Sequence, residues 1–298
     1  MGNKVFVLYH ANCRDGFAAA WAAWKRFGDE ATYIACGYGQ ELPEMPDWSS
    51  VYIVDFSFPR EVLLTLEKRM NKVTVLDHHE TAMKDLEGLP QLYDIAHDSD
   101  LVLCVTFDMD KSGATLAWEY FHHDKPLPTL IKHIEDRDLW RFNFPETEAF
   151  CAYMNTLEKD FKVWDDVAER VEHVFGFTHI CTMGDSVLSF IKKEVERMCK
   201  GCKVVDFERF DLVVNATAFF SEVGHQALEA EPLADFSVSY GDNFKAGMTI
   251  FSLRSRTGSD IHVGEIASQW GGGGHKHAAS FKLPSDHDDL KHIFGGIK

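Results

Sequence analysis

The 298-residue sequence has little of several things, and each shortage excludes a class of protein. No apolar run approaches the 18 or so residues of a membrane-spanning helix, so no membrane partner is expected. The N-terminus runs directly into Val5-Phe6-Val7-Leu8, too short for the apolar core of a secretory leader. Seven cysteines, an odd and scattered set, argue for reduced thiols and a cytoplasmic location rather than a disulfide framework. Cys199-Lys200-Gly201-Cys202 is a lone C-x-x-C without a second ligand pair, read as incidental thiols or a small metal or redox site. Positive charge is short: 30 Lys+Arg stand against 47 Asp+Glu, for a net −17. That balance speaks against tight binding of long duplex nucleic acid, which rests on many Lys/Arg–phosphate contacts. Internal repeats and low-complexity tracts are absent.

The sequence does contain two alternating blocks. Apolar strands are expected at 4–9, 31–36, 51–55, 73–77 and 101–107, with helices at 15–27, after Pro59, from Ser112 to about 122, and from Leu127 onward. Strands separated by helices at this spacing predict an α/β fold with a parallel sheet. Phe17, Trp21, Trp24 and Phe27 fall at helical spacing and read as core. A mostly helical stretch follows Trp140. Residues 203–298 alternate again, as a smaller C-terminal α/β domain. The expected domains are 1–183, a helical linker over 184–202, and 203–298.

Three of the apolar strands end in polar residues of one kind: Tyr9-His10, Asp55, and Asp77-His78-His79. In a parallel sheet these ends open into one crevice, the usual seat of a ligand. Carboxylates and imidazoles brought there from separate strands make a metal-ligand set. One aspartate after a strand fits a helix cap, but Asp-His-His with two further sites in register does not.

HANCRDG (10–16), IVDFS (53–57), VLDHHET (75–81) and GGGGHKHAAS (271–280) resemble, in order, the motifs of the DHH phosphoesterase superfamily with its DHH-associated C-terminal domain. SEVGH (221–225) and SLRS (252–255) resemble further elements of that second domain. The resemblance covers nearly the whole chain. It implies one or two divalent ions, Mn²⁺ first, with Mg²⁺ or another divalent transition metal as alternatives, driving hydrolysis of a phosphoester or phosphoanhydride. Members include RecJ-type exonucleases, nano-RNases, cyclic-dinucleotide phosphodiesterases and polyphosphatases.

Carried over residue by residue, the resemblance makes Asp55 the carboxylate that bridges two metals and His78 a metal ligand. Asp77 becomes an orienting aspartate and His79 a phosphate-facing imidazole; Asp77, His78 and His79 form the catalytic set. Asp15 matches the last aspartate of the first motif. In Asp136-Arg137-Asp138-Leu139-Trp140 the family spacing favours Asp136 as ligand, with Asp138 read as either a ligand or an ion-pair partner. The metal set is thus His10, Asp15, Asp55, His78 and Asp136. One departure matters. The family often carries two aspartates in the first motif, whereas here Asn12, Cys13 and Arg14 separate His10 from a single Asp15. This predicts one firm and one weak metal, with Asn12 or Cys13 the nearby replacements.

The glycine run reads as an anion-binding loop whose N–H groups meet phosphate oxygens. Substrate contacts are expected from His79, Arg254, Gly272, Gly273, Gly274, His275 and His277. The expected function is metal-assisted hydrolysis of short oligonucleotides or small nucleotide-like phosphodiesters. An exopolyphosphatase and a non-catalytic phosphate-binding module are the alternatives. Oligomeric state is left open.

Overall fold

Residues 5–10 are apolar and partly β-branched, and in the computed structural model they form the second strand of a five-stranded parallel sheet. The structure describes residues 4–11, 13–92, 101–201, 203–206, 210–288 and 290. It divides into two compact units, Met1–Leu188 and Ser189–Lys298.

The first unit is built on β1 (Val5–His10), β2 (Ala31–Cys36), β3 (Ser50–Val54), β4 (Lys72–Asp77) and β5 (Leu103–Phe107), in the order β2-β1-β3-β4-β5, with every neighbouring pair parallel. Side chains alternate across the sheet. Val7, Val54 and Leu76 face one core, shared with α1 (Arg14–Phe27), α4 (Gly113–Phe121), α5 (Thr129–Asp138), α6 (Thr147–Met154) and α7 (Phe161–Val171). Phe6, Leu8, Val51, Ile53, Val73, Val75 and Val105 face a second, closed by Leu63 and Leu66 of α2 (Arg60–Glu67). The aromatic stripe of α1 belongs to the first core: Phe17 and Trp21 are buried, and Trp24 and Phe27 pack against it. Pro59 stands at the N-cap of α2, where its missing N–H costs nothing.

This strand order has one reversal point, between β1 and β3, where the connections leave in opposite directions. Ligands of open α/β sheets sit outside the carboxyl ends of the strands at such a point. The ends meeting there carry His10 and, one residue past β3, Asp55.

The helix α8 (Val174–Cys199) crosses the boundary between the units. By length and composition alone it is apolar enough to cross a membrane, although the sequence shows no unbroken apolar run of that length. Within the first unit its inner face is packed. Ile180 and Cys181 lie in the first core, and a Cβ on Gly184 would fall 1.9 Å from the Ala149 carbonyl oxygen.

The second unit holds a six-stranded mixed sheet in the order β10-β11-β9-β8-β7-β6. Its strands are β6 (Lys203–Asp206), β7 (Phe210–Asn215), β8 (Phe236–Asn243), β9 (Met248–Ser255), β10 (Gly273–Gly274) and β11 (Ala278–Pro284). Only β7 and β8 pair in parallel. Its core gathers Val213, Phe236, Val238, Phe251, Leu253 and Phe281 with Val263 and Ala267 of α10 (Val263–Ser268). The helix α9 (Phe220–Ala230) bonds to the serines of β8: Ser237 Oγ donates to Gly224 O and Ser239 Oγ to Phe220 O. Of the C-x-x-C motif, Cys202 lies outside the described residues, and Cys199 Sγ donates to Val223 O.

Candidate metal centre

Asp55 is the hub. It follows β3 and takes a left-handed backbone conformation, φ 61°, while its N–H still donates to Leu76 O as if the strand continued. For a residue with a Cβ this conformation is strained. It turns the carboxylate into the space above β1 and β4. Asp55 Oδ1 lies 3.0 Å from His78 Nε2, and Asp55 Oδ2 lies 3.5 Å from His10 Nδ1. Two imidazoles, from the ends of the two strands that flank β3, thus address the two oxygens of one carboxylate.

Two glycines make room for this. A Cβ on Gly16 would stand 2.4 Å from the His10 carbonyl oxygen, so glycine lets the start of α1 press against the end of β1. That contact brings in Asp15, whose Oδ2 is 3.8 Å from His78 Nε2 and whose Oδ1 accepts from Ala114 N. A Cβ on Gly113 would stand 2.5 Å from Asp55 Cβ, so the first residue of α4 must also be bare. Gly113 carries no motif signal and went unnoticed in the sequence.

Asp77 plays a different part. Its Oδ1 accepts from His78 N at 2.8 Å, His79 N at 3.2 Å and His79 Nδ1 at 2.7 Å. One oxygen therefore fixes the chain direction after β4 and the tautomer of His79, with the proton on Nδ1.

The structure exchanges the roles of the two aspartates at the end of α5. The sequence favoured Asp136 as ligand. Its carboxylate instead points inward and is spent on Asn143 N, Phe144 N and Thr147 Oγ1, at 2.7, 3.2 and 2.6 Å. Thr147 Oγ1 also meets His133 Nδ1 at 2.8 Å. Asp138, half a helical turn further on, is the one whose Oδ2 comes within 3.7 Å of His78 Nε2. Asp136 shapes the turn that follows; Asp138 faces the cluster.

Electrostatics follow from burial. Asp15, Asp55, Asp77 and His78 are each at most 1% exposed. Burial, then the charges of Asp55 and Asp138, push the Asp15 carboxyl well above its usual range. Burial pushes Asp55 the same way, but the hydrogen bonds from His10 and His78 outweigh it and hold Asp55 well below. Burial works against charge on His78, yet the Asp55 hydrogen bond and the Asp138, Asp55 and Asp15 charges raise it to about 10. Burial likewise works against charge on His10, yet Asp55, Asp77 and Asp138 raise it, so both imidazoles favour the charged form beside the carboxylates.

The residues fit a divalent cation. Ligand atoms lie within 4.8 Å of one another in three sets: Asp15, Asp55 and His78; His10, Cys13 and Asp55; and Asp55, Asp77 and His79. Asp15 Oδ2 and Asp77 Oδ2 are buried without a hydrogen-bond partner among the described residues, a costly arrangement that a cation relieves. Oxygen and imidazole donors in mixture suit Mn²⁺ or a similar ion. Of the two candidates for the missing first-motif ligand, Asn12 lies outside the described residues and Cys13 stands at the N-cap of α1. Burial and the Asp55, Asp138 and Asp15 charges push the Cys13 thiol well up, and a bound cation would act in the opposite direction. Arg14 Nη1 donates to Asn155 Oδ1.

In the second unit the glycine run is largely structural, not a row of N–H groups held open for an anion. Gly271 N donates to Ser268 O and Gly272 N to Ala267 O, closing α10. Gly273 and Gly274 pair with Ser280 and Ala279 as β10. A Cβ on Gly272 would lie 2.1 Å from Ser280 O, so close sheet packing explains the glycine there. The Arg254 guanidinium meets neutral oxygens: Nη1 donates to Ser252 Oγ and Leu253 O, and Nη2 to Ser221 Oγ. His277 Nδ1 lies 2.9 Å from Ser255 Oγ, while His275 N donates to Ala278 O across the turn.

No family model matches the chain. An uncharacterized protein of Acanthamoeba polyphaga mimivirus is 32% identical over 293 residues, covering 92% of this chain; the chain spans 66% of that relative's length, just under two thirds. Among solved structures, the DHH domain of a member of the S1p family of ribosomal proteins is similar at a TM-score of 0.54 and 14% identity, over 99% of this chain and 86% of that one. RecJ from Thermus thermophilus, solved with Mn²⁺, is similar at 0.48 and 13%, over 98% of this chain and 50% of that one. The sheet with its motif-bearing strand ends and the structural likeness lead to the same conclusion: the chain is a protein of the DHH fold.

Proposed function

We propose that the protein is a metal-dependent hydrolase of phosphoester bonds, acting on short oligonucleotides or nucleotide-like diesters. The observation that carries this reading is Asp55, a strained and buried carboxylate whose two oxygens face His10 and His78 from opposite sides. An aspartate so placed can be shared between two cations. His10, Asp15, Asp55, His78 and Asp138 would hold the metal, and Cys13 is placed to join His10 and Asp55. A divalent ion there supplies Lewis acidity toward a phosphoryl oxygen and lowers the pKa of water.

The chain's own residues do the rest. Asp77 holds the His79 ring through Nδ1, which keeps the imidazole in one orientation for a phosphate oxygen. Gly16 and Gly113 allow two helix starts to close around the reacting centre, so its carboxylates stay buried and their fields strong. In the second unit, Arg254, with its planar fork, is a candidate phosphate contact.

The test is release of product from a dinucleotide, a cyclic dinucleotide and polyphosphate, each with Mn²⁺ and with excess chelator. Metal-dependent cleavage of one of the diesters is the expected result. Cleavage of polyphosphate alone would turn the assignment to phosphoanhydride hydrolysis. Undiminished cleavage in chelator would remove the metal from it.

A further inference from the structure

Tyr38 belongs to no motif, yet it lies against the cluster. It sits in the turn after β2, followed by Gly39 at φ 76°. Its ring meets three others edge-on: His10 at 5.3 Å, His79 at 5.9 Å and Phe56 at 6.5 Å between centroids. Those contacts fix the ring. Its hydroxyl is buried and has no hydrogen-bond partner among the described residues.

A buried hydroxyl without a partner costs free energy unless something outside the chain completes it. The sign of what is missing is informative. Asp15 Oδ2 and Asp77 Oδ2, also without hydrogen-bond partners among the described residues, are acceptors that a cation satisfies. The phenol is a donor whose pKa burial and the Asp77 and Asp55 charges push well above its ordinary value, so it carries its proton at neutral pH, and a cation does nothing for its O–H. An anionic oxygen does.

We propose that Tyr38 Oη donates a hydrogen bond to an oxygen of the phosphoryl group bound at this centre, making Tyr38 a substrate-contacting residue. The proposal rests on the phosphoester reading for its ligand. His79, oriented by Asp77, and Tyr38, fixed by His10 and Phe56, then stand beside each other at the same group, with the phenol O–H as the neutral donor. A neutral O–H donor stabilises developing negative charge without adding a cation to an already crowded centre.

The experiment compares wild type with Tyr38→Phe as full chains, using orthophosphate as the probe. Calorimetry gives Mn²⁺ affinity and then orthophosphate affinity of the Mn²⁺-loaded proteins, and thermal unfolding is followed without metal. The variant is expected to bind Mn²⁺ as wild type does, to bind orthophosphate about tenfold more weakly, and to melt no lower, since the lost hydroxyl had no partner to lose. Turnover of a diester should fall by roughly ten- to a hundredfold. Equal orthophosphate affinity in the two proteins, no orthophosphate binding by wild type, weakened Mn²⁺ binding, or a lower melting temperature each overturns the proposal. A wild type that binds orthophosphate through Tyr38 but cleaves no diester supports it and refutes the hydrolytic reading instead.

Discussion

Asp55 accepts a left-handed backbone, which costs a residue with a Cβ about 1–3 kcal/mol, and full burial of a charge as well. Neither is repaid by packing, so the position makes sense only through what the carboxylate holds. The same reasoning separates the two aspartates of α5. Asp136 is a structural anchor, and charged hydrogen bonds of this kind are worth about 1.5–3 kcal/mol each. Asp136→Asn should therefore lower the melting temperature clearly. Asp138→Asn should leave melting unchanged but weaken Mn²⁺ binding tenfold or more. Thermal unfolding and metal titration of both variants check this, and the opposite pattern would return the ligand role to Asp136. Asp77→Asn is expected to stay folded and to lose most of its turnover, because an amide oxygen holds three donors less firmly than a carboxylate and the His79 ring is released. A folded variant retaining more than a tenth of wild-type turnover would show that His79 needs no such guide.

Among the secondary elements, the first sheet was readable because each buried strand is a short apolar run, and parallel strands buried on both faces look like that. The strand-end residues were readable for the same reason: His10, Asp55 and Asp77-His78-His79 interrupt those runs abruptly. What was not readable depends on three-dimensional direction. Asp136 and Asp138 are two residues apart at a helix end, so they point to different sides, and no one-dimensional spacing says which side is inward. Four glycines in a row suggest an open loop, whereas β10 and the end of α10 use them for close approach. Tyr38 is a single aromatic in a turn, with no pattern around it. Gly113 gave no warning either, and it supplies a test at this scale. Gly113→Ala puts a methyl against Asp55 and should cost about 1–3 kcal/mol as overpacking, with a larger loss of Mn²⁺ affinity than of stability. A variant that melts and binds metal as wild type does would mean that α4 can retreat from Asp55 freely.

For the whole molecule, net charge −17 places a strong negative field around any polyanionic substrate, so short substrates and bound cations suit it better than long duplexes. The second unit offers its own check: Arg254→Ala should raise KM for a diester several-fold while Mn²⁺ binding is unchanged, and an unaltered KM would remove Arg254 from substrate contact. The protein also links metal, protons and stability. His78 is raised to about 10 in the metal-free fold, against an ordinary value near 6.5. The stabilisation from this imidazolium is thus complete below about pH 6.5 and is lost as pH rises toward 10. A metal ligand must be neutral, so Mn²⁺ binding expels that proton and tightens as pH rises. Calorimetry in two buffers of different ionisation enthalpy should report release of at least one proton per ion near pH 7, whereas no release would contradict the charged His78.

The account stands on Asp55 as the carboxylate around which metal is held. The most direct test is calorimetric titration of the metal-free full chain with Mn²⁺ at pH 7.5, for wild type and for Asp55→Asn, whose amide is nearly isosteric. Wild type should take up one tight ion, with a second and weaker one reflecting the single aspartate of the first motif, and Asp55→Asn should bind neither with comparable affinity while remaining folded. Wild-type Mn²⁺ affinity in a folded Asp55→Asn variant would contradict the account.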